Sequence, residues 1–344
     1  MTFTKKQITK AGDILKDKTD KTDEEILWAE DVLTFWRTIH SSVITDFHND
    51  LKSKVNEVND QAIVVQRIKR SHSIISKLNR MDGMLLARMQ DIAGVRVILN
   101  DLNEVYQLVD KIRNSDFQHE FKNSKDYIFE PKESGYRGIH LIYKYNNPSK
   151  PDANGLFIEL QLRTRLQHTW ATAVETMSTF LGTHLKFNEG QQKWLKYFAL
   201  TSSAFTFIEK TPQVPKFEKL SELETLKSTI YEYNYNKINE SLSAYSVAAN
   251  FICTKVDTSK KYHLVTLDIQ KRVVQIKSYG EDQIDLANNA YTELERESKE
   301  DGNMQSVLVS TESINELQDG FPNYFLDIRE FLNQMEFIKK RLKK

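Results

Sequence analysis

The chain has 344 residues, of which 40% are hydrophobic and 28% are charged, and its formal net charge is zero. This composition is typical of a globular protein with one large or two ordinary domains, and it gives no global signal for nucleic-acid or membrane binding. A single cysteine, Cys253, excludes an internal disulfide and argues against a cysteine-based zinc site. Because there is no apolar run of about 18 residues and no apolar signal core at the N-terminus, we expect a cytoplasmic protein that does not contact a membrane.

The first 80 residues predict mainly helices. Residues 1–23 are polar and are expected to be loosely held. Apolar positions recur at steps of three and four over residues 24–55, which predicts a long amphipathic helix. A second helix is predicted over residues 61–79, and three of its basic residues should share one surface. These are Arg67, Arg70 and Lys77.

The middle of the chain predicts an α/β sheet. Strands are predicted over residues 94–99, 126–130, 139–145 and 156–163. Asp101 is placed as the N-cap of a helix that follows the first of these strands, and another helix contains Trp170. A strand-helix-strand unit followed by a hairpin indicates a sheet of mixed strand directions.

The last of these strands has two chemically different faces. One face carries an aliphatic row of Leu156, Ile158, Leu160 and Leu162. The alternating positions carry Phe157, Glu159, Gln161 and Arg163. Because successive side chains of a strand point to opposite faces, the aliphatic row should be buried. On its own, the polar row is equally compatible with a solvated face and with a functional site.

Two prolines, Pro212 and Pro215, mark the best boundary in the chain, since they stop a helix. We therefore predict a first domain over residues 1–215 and a small α+β module over residues 216–344. The elements predicted for the module are a hairpin (262–268 and 272–278), a helix (286–300), a strand (306–310) and a terminal helix (324–342).

Several polar residues of the first domain suit phosphate chemistry. Asp91 directly precedes a strand and Glu159 lies within another, and a pair of carboxylates with phosphate oxygens is a common Mg²⁺ site. Tyr136 lies in a glycine-flanked turn where a base can stack. Each feature alone is compatible with an ordinary cap, turn or solvated charge, whereas their combination indicates a site. The basic residues suited to a triphosphate are Arg67, Lys69, Lys77 and Arg88.

Over residues 25–205 the sequence resembles the RelA/SpoT synthetase family. The motifs that carry the resemblance are Arg67-Ile-Lys69, Ser73 with Lys77, Asp91-Ile-Ala-Gly-Val-Arg96, Lys132 with Gly135-Tyr136-Arg137-Gly138-Ile139-His140, and Glu159-Leu-Gln161-Leu-Arg163-Thr164. The resemblance implies a nucleotidyltransferase-like mixed β-sheet flanked by helices. It also implies transfer of the β,γ-pyrophosphate of ATP to a ribose 3′-hydroxyl, with release of AMP.

The resemblance also implies a role for each matching residue. Asp91 and Glu159 would be catalytic and would hold Mg²⁺, and Glu159 would also act as the base on the acceptor hydroxyl. The ATP-binding residues would be Arg67, Lys69, Ser73, Lys77 and Arg88. Tyr136 would stack on the acceptor base, and the other acceptor-binding residues would be Lys132, His140, Gln161 and Arg163. The sequence has no His-Asp dipeptide, so we expect no hydrolase activity that removes the product.

Two further details concern the subtype. Gly138 stands where many alarmone synthetases have Ser. In this respect the motif resembles that of the toxic small alarmone synthetases, several of which modify the 3′ CCA end of tRNA. The C-terminal module resembles the pseudo-zinc-finger antitoxin region of CapRel-type antiphage fusions, which covers the ATP site until a phage protein binds it. The lone Cys253 fits a zinc-free module of this kind. Phe321 and Tyr324 match the Tyr-x-x-Tyr plug of that family with one hydroxyl missing; alternatively, they are core aromatics of the module.

The expected function is therefore an ATP- and Mg²⁺-dependent pyrophosphotransferase that modifies the tRNA 3′ end. In this hypothesis it is inhibited by its own C-terminal module and activated by a phage protein that binds this module. An alarmone synthetase acting on GDP or GTP has the same chemistry, and a catalytically silent sensor is the alternative of another class. Two surfaces are candidates for binding a tRNA. One is residues 61–79, and the other is formed by the lysines near the N-terminus, Lys16, Lys18 and Lys21.

Overall fold

The structure is a computed structural model that describes residues 3–181, 183, 185–246, 260–271, 273–301, 304–310, 314–325 and 327–342. Within these residues an eight-stranded mixed sheet is flanked by helices. The α/β class and the mixed sheet predicted from the sequence are therefore confirmed. Cys253 lies outside the described residues.

The first part of the chain alternates helices with the first five strands. Its elements are α1 (Lys5–Lys16), α2 (Asp23–Asn56), β1 (Ile63–Ile68), α3 (Ser71–Arg80), β2 (Ala93–Leu99), α4 (Leu102–Arg113), β3 (Glu120–Asp126), β4 (Ile139–Lys144), β5 (Phe157–Thr164), α5 (Arg165–Leu181) and α6 (Gln192–Glu209). The remainder adds three strands and five helices among the described residues. They are α7 (Glu222–Tyr235), α8 (Ile238–Ser246), β6 (Tyr262–Asp268), β7 (Val273–Tyr279), α9 (Ile284–Asp301), β8 (Met304–Ser310), α10 (Ile314–Gly320) and α11 (Arg329–Leu342).

Several predicted elements are confirmed. The long amphipathic helix is α2, and the Thr22 hydroxyl caps it by accepting a hydrogen bond from the backbone amide of Glu25 at 3.2 Å. Asp101 caps α4 in the same way, since its carboxylate accepts from the amide of Glu104 at 3.1 Å. The two-faced strand is β5, and its aliphatic row is buried.

The N-terminal segment is more ordered than predicted. Residues 5–16 form α1, which begins at a capping box between Thr4 and Gln7. Ile8, Ala11 and Leu15 lie on one side of this helix and are buried against the main core. The prediction of a loosely held segment was wrong. A few apolar residues at helical spacing are enough to hold a helix in place when they can pack on the core.

The prediction of one helix over residues 61–79 was also wrong. Residues 63–68 form strand β1, and only residues 71–80 form a helix, α3. The run Ile63-Val64-Val65 is β-branched, and β1 gains a full antiparallel ladder with β2. Arg67 therefore projects from a strand, while Lys77 projects from the helix that follows it.

Two boundaries in the sequence prediction require correction as well. The strand predicted over 126–130 lies earlier, at Glu120–Asp126, and the Asp126 carboxylate accepts from the amide of Ile128 at 2.8 Å to start a turn. The terminal helix predicted from residue 324 begins at Arg329, after a short 3₁₀ turn over Pro322–Phe325.

The sheet has the strand order β3-β4-β5-β2-β1-β8-β6-β7. β2 and β5 are parallel, whereas β1 and β4 are antiparallel to their neighbours β2 and β5. Helices α1, α2 and α4 pack against one face with β1, β2, β4 and β5 to form the main core. The charged side chains of these central strands project from the opposite face.

The C-terminal strands extend the same sheet. β8 pairs with β1 through Gln66 and Ser310 and through Arg67 and Val309. On the helical side, Phe331 of α11 packs with Phe198 of α6. The division at residue 215 stays a prediction, and these contacts cross it. Among the helices that the structure describes, none combines the length and apolar character needed to cross a bilayer.

Candidate functional site

The register of the sheet places the charged residues in two rows on one face. Glu159 of β5, Gly94 of β2 and Arg67 of β1 are directly opposite one another across the strands. The neighbouring row contains His140, Gln161 and Arg96. Because Gly94 has no side chain, the space between Glu159 and Arg67 stays open.

That space is a small pocket. Its polar lining is Arg67, Lys69, Asp91, Arg96, Glu159 and Gln161. Two carboxylates thus share one pocket with one lysine and two arginines.

Asp91 is held by two lysines from the β1–α3 segment. The ammonium groups of Lys69 and Lys77 lie 2.9 Å from Oδ2 and Oδ1 of Asp91, respectively. Burial alone would raise the pKa of this carboxyl, but the two cations outweigh it and lower the pKa well below its ordinary value. Asp91 is therefore ionised at neutral pH.

Glu159 is held by a different pair of partners. Nδ1 of His140 lies 2.8 Å from its Oε1, and Nε2 of Gln161 donates to its Oε2 at 2.6 Å. Burial opposes ionisation of Glu159, but His140 and the hydrogen bonds dominate and lower its pKa to about 2. Burial likewise lowers the pKa of His140, but Tyr136 and Glu159 overcome this effect and raise it to about 9. The pair is therefore an imidazolium–carboxylate pair near neutral pH.

Tyr136 is enclosed in this conformation, with only 6% of its surface exposed. Its hydroxyl lies 2.5 Å from Nε2 of His140 and accepts a hydrogen bond from Nη2 of Arg163 at 2.8 Å. The Lys132 ammonium lies 5.1 Å from the ring centroid. The four residues thus form one polar network that ends at Glu159.

Gly138 allows this turn to pack against β5. Its φ of +144° lies in the range that favours glycine, and an added Cβ would lie 3.2 Å from both Cγ of Arg163 and the carbonyl oxygen of Leu162. A serine at this position would strain the turn in the observed conformation. The backbone and its tight packing therefore give a local reason for glycine here.

The structure brings together most of the residues predicted for the site. Asp91, Glu159, Arg67, Lys69 and Gln161 line the pocket; Lys77 contacts it through Asp91; and His140, Tyr136, Arg163 and Lys132 form the adjoining network. Two ATP-binding candidates lie apart from these contacts. Ser73 is half-buried in the first turn of α3, and Arg88 is exposed at the end of a short 3₁₀ turn, outside the lining of the pocket. The individual roles stay predictions.

Arg96 is the lining residue that the site prediction omitted. It is 6% exposed and lies directly opposite Gln161 of β5. A signal for it was present in the sequence, since Arg96 interrupts the apolar run of a buried strand and is two residues from Gly94. A charge at such a position must face a partner or a ligand.

Two aromatic residues from the C-terminal part of the chain lie at or beside this pocket. Phe321 is a lining residue, and its ring centroid lies 5.6 Å from the guanidinium carbon of Arg96. The Tyr324 hydroxyl accepts a hydrogen bond from Arg70, whose guanidinium carbon lies 4.8 Å from the tyrosine ring centroid. Both aromatic rings also belong to an apolar cluster with β1, β6 and β8. The two predicted alternatives, core aromatics and residues at the site, are thus geometrically compatible.

The donor set limits which metal chemistry fits. Within the described part of the chain, no cluster of three or more His, Cys, Asp or Glu side chains is arranged to hold a metal ion. The two ionised carboxylates Asp91 and Glu159 in one pocket do fit Mg²⁺, because this ion takes one or two carboxylates and completes its shell with phosphate oxygens and water.

Comparison with known proteins gives the context for this site. Residues 66–180 match the family model described as the region found in RelA / SpoT proteins. Over these residues the chain is similar to the RelA/SpoT family. All residues lining the pocket fall within this region except Val65 and Phe321. This match supports the resemblance inferred from the motifs over the matched residues.

Three relatives illustrate the extent of the similarity. The chain is 32% identical over 117 residues to GTP pyrophosphokinase YjbM of Bacillus subtilis (strain 168), a match that covers 33% of this chain and 55% of the relative. It is also 32% identical over 114 residues to GTP pyrophosphokinase YwaC of the same organism, covering 31% and 52%. A GTP pyrophosphokinase of Haemophilus influenzae is 29% identical over 147 residues, covering 43% and 18%. The chain therefore spans about half the length of the first two relatives.

Solved structures give a weaker match. Small alarmone synthetase 1 from Bacillus subtilis bound to its product pppGpp aligns with a TM-score of 0.42 and 23% identity, over 50% of this chain and 89% of that chain. Small alarmone synthetase 2 from the same organism aligns with a TM-score of 0.42 and 22% identity, over 51% and 92%.

Proposed function

We propose that the chain is a pyrophosphotransferase that moves the β,γ-pyrophosphate of ATP to a ribose 3′-hydroxyl and releases AMP. The observation that carries this proposal is the pairing of Asp91 and Glu159 in one pocket with Arg67, Lys69 and Arg96. Transfer of a phosphoryl-type group depends mainly on in-line positioning and on neutralising charge. This set of side chains supplies both.

The two lysines that contact Asp91 can also bind the phosphates of ATP. In the free protein Lys69 and Lys77 neutralise this carboxylate. When a triphosphate binds, the same ammonium groups can contact its phosphate oxygens instead of Asp91. Mg²⁺ bound with the triphosphate then neutralises Asp91, so this buried carboxylate keeps a partner. Asp91 and Glu159 would hold that Mg²⁺, which supplies charge neutralisation on the phosphate oxygens.

The residues around Glu159 suit the acceptor side of the reaction. Glu159 is the base that accepts the proton of the 3′-hydroxyl, and His140 and Gln161 fix its two oxygens. The His140 imidazolium keeps Glu159 ionised and also neutralises part of the charge around it. Tyr136 and Lys132 lie on the far side of His140, where they bind the base and phosphates of the acceptor.

For the acceptor we propose the 3′ CCA end of tRNA, on the basis of the resemblance to toxic small alarmone synthetases. A guanine nucleotide is the second candidate, and a specific observation favours it, since the relatives YjbM and YwaC are named GTP pyrophosphokinases. The two candidates share the same donor pocket and the same base, and they differ only in what binds beyond His140.

We further propose that the C-terminal module inhibits the enzyme in cis and that a phage protein binding this module releases it. Phe321 supports this idea, because its ring lies in the pocket against Arg96, where a planar adenine ring would find a cationic partner. Tyr324 engages Arg70 beside it.

Labelled-substrate assays test the proposal. A Phe321→Ala variant, as the opened form, is incubated with γ-labelled ATP and Mg²⁺ and with either deacylated tRNA or GDP. Label on tRNA supports our choice, and label on GDP supports the second candidate. Absence of label from both acceptors, in a variant shown to bind an ATP analogue, would overturn the proposed catalysis in favour of a sensor. Glu159→Gln in the same background is the control for background labelling.

A further inference from the structure

The carboxylate of Glu295, on α9 of the C-terminal module, lies at the N-terminus of α3. Its Oε1 accepts a hydrogen bond from the backbone amide of Ser71 at 3.2 Å, and its Oε2 accepts from the Ser71 hydroxyl at 2.8 Å. Nη1 of Arg37 donates to the same Oε2 at 2.8 Å. The side chains of Arg37 and Glu295 are 4% and 11% exposed. An anion is therefore held in a nearly buried place by one cation and one helix end.

The receiving side of this contact is built independently of Glu295. Nε of Arg37 donates to the carbonyl oxygen of Lys69 at 3.1 Å, and its Nη1 donates to the Ser71 hydroxyl oxygen at 2.7 Å. Nη2 of Arg37 is buried without a hydrogen-bond partner among the described residues. Arg37 can therefore donate a further hydrogen bond through Nη2. The two oxygens of the Glu295 carboxylate do not accept it, whereas a phosphate has more oxygens and can do so.

The helix end adds to the attraction for an anion. The N-cap of α3 is Arg70, which makes no side-chain capping bond, and the Ser71 amide instead donates to Glu295. The amides and the dipole at a helix N-terminus favour negative charge, and phosphate groups are common ligands there.

This helix end is connected along the chain to two residues that contact Asp91 in the pocket. Ser71 follows Lys69 by two residues, and Lys77 of the same helix contacts Asp91. Arg37 is linked to the carbonyl of Lys69 itself. The site at Arg37 and Ser71 is thus linked through the backbone to Lys69, whose ammonium contacts Asp91.

We propose that Arg37 and the N-terminus of α3 form a phosphate-binding site, and that Glu295 occupies it from within the chain. A phosphate group and the Glu295 carboxylate then compete for the same donors, so loading of the site displaces α9. This inference rests on the proposed function only for the source of the phosphate. The phosphate can come from ATP, or it can be free pyrophosphate.

The test is a binding measurement on the full chain, by calorimetry at one fixed salt concentration. Glu295→Gln keeps the shape of the side chain and removes its charge, and we expect it to bind inorganic pyrophosphate about tenfold more tightly than wild type. Glu293→Gln, on the exposed side of the same helix, removes one charge without touching the site and is expected to match wild type. Adding Arg37→Gln to Glu295→Gln should remove the gain.

Three outcomes would overturn the inference. One is that Glu295→Gln binds pyrophosphate no better than wild type while circular dichroism shows it folded. A second is that the gain survives the loss of Arg37. The third is a gain for a non-hydrolysable ATP analogue without any gain for pyrophosphate, because Glu295 would then block something other than a phosphate.

A second variant separates the effect of the charge from an effect of misfolding. Glu295→Asp keeps the charge on a shorter side chain and should give an intermediate gain, whereas affinity equal to that of wild type would count against the inference. None of these measurements requires group transfer. A failure of the proposed enzyme activity would therefore appear in the labelling assay and leave the pyrophosphate result unaffected.

Discussion

Arg96 of β2 and Phe321, which follows α10, meet inside the pocket, with 5.6 Å between the guanidinium carbon and the ring centroid. Nη1 of the same arginine donates to the carbonyl oxygen of Gly320 at 3.1 Å. A nearly buried arginine thus has its main described contacts with a segment more than two hundred residues further along the chain. A ligand that contacts Arg96 in this conformation would therefore lie beside that segment.

We predict that Phe321→Ala raises the affinity for a non-hydrolysable ATP analogue by about tenfold. Removing an occupant of the pocket increases the fraction of molecules that are competent to bind. Because Phe321 is only 2% exposed, the substitution should also cost about 3–5 kcal/mol of stability. Calorimetry and urea unfolding measure the two effects separately.

Phe337→Ala is the matched control for this prediction. Phe337 lies on α11 and is 49% exposed, so its loss should change neither the affinity for the analogue nor the stability by much. Equal affinities for wild type and Phe321→Ala would show that the ring does not exclude the nucleotide.

We predict that Gly320→Ala loosens the segment that carries Phe321. Gly320 is packed on β1, and an added Cβ would lie 2.9 Å from Cγ2 of Val65 and closer still to Cγ1. Such overpacking costs about 1–3 kcal/mol. Hydrogen exchange of the backbone amides in residues 317–325 should accelerate in the variant.

The second-site variant Val65→Ala tests the cause of that loosening. Removing the two methyl groups makes room for the new Cβ, so the double variant should recover slow exchange in residues 317–325. If exchange in the double variant stays as fast as in Gly320→Ala, steric contact with Val65 is not the reason.

The parts of the site predictable from the sequence are those fixed by local pattern. Glu159 and Gln161 alternate with buried leucines, so their shared face follows from strand periodicity alone. Asp101 and the α4 positions follow from capping and helical spacing. These features depend on neighbours within a few residues.

The parts that escaped prediction depend on distant partners. Residues 63–68 have an apolar spacing that also fits a helix, and only the ladder with β2 decides for a strand. Arg96 is recognisable as a site residue once β5 lies beside β2. Glu295 is one of many acidic residues of the tail, and its contact with Ser71, 224 residues away, leaves no local signal.

We predict that Arg67→Ala weakens binding of an ATP analogue about ten- to hundredfold, since a charge-assisted contact is worth about 1.5–3 kcal/mol. Arg67 lines the pocket in the row of Glu159 and Gly94. Arg113→Ala removes the same charge from an exposed position at the end of α4, outside the pocket lining, and should change affinity less than about threefold. Equal losses in the two variants would place the nucleotide elsewhere.

We predict that truncation after Pro215 gives a protein that aggregates. The cut removes α11, whose Phe331 packs against Phe198 and Phe205, and it removes β8 from the edge of β1. An apolar surface and an unpaired strand edge are then both exposed. Light scattering after expression measures this; a monomeric fragment with cooperative unfolding would instead show that residues 1–215 fold alone.

We predict that Glu159→Gln abolishes transfer and changes the acid stability of the protein. Loss of the base should lower the rate by at least about a hundredfold in the Phe321→Ala background, in which the pocket is open. The pKa of Glu159 falls from 4.5 to about 2 on folding, through His140 and Gln161 and against burial and the nearby Asp91. Its stabilisation is therefore present above about pH 4.5 and is lost as the pH falls through about 2, so wild type should exceed Glu159→Gln by about 2–3 kcal/mol near pH 6. Urea unfolding between about pH 6 and pH 3 should show this gap narrowing with acid. A gap that is constant over the whole range would mean that the ionised carboxylate does not contribute to folding.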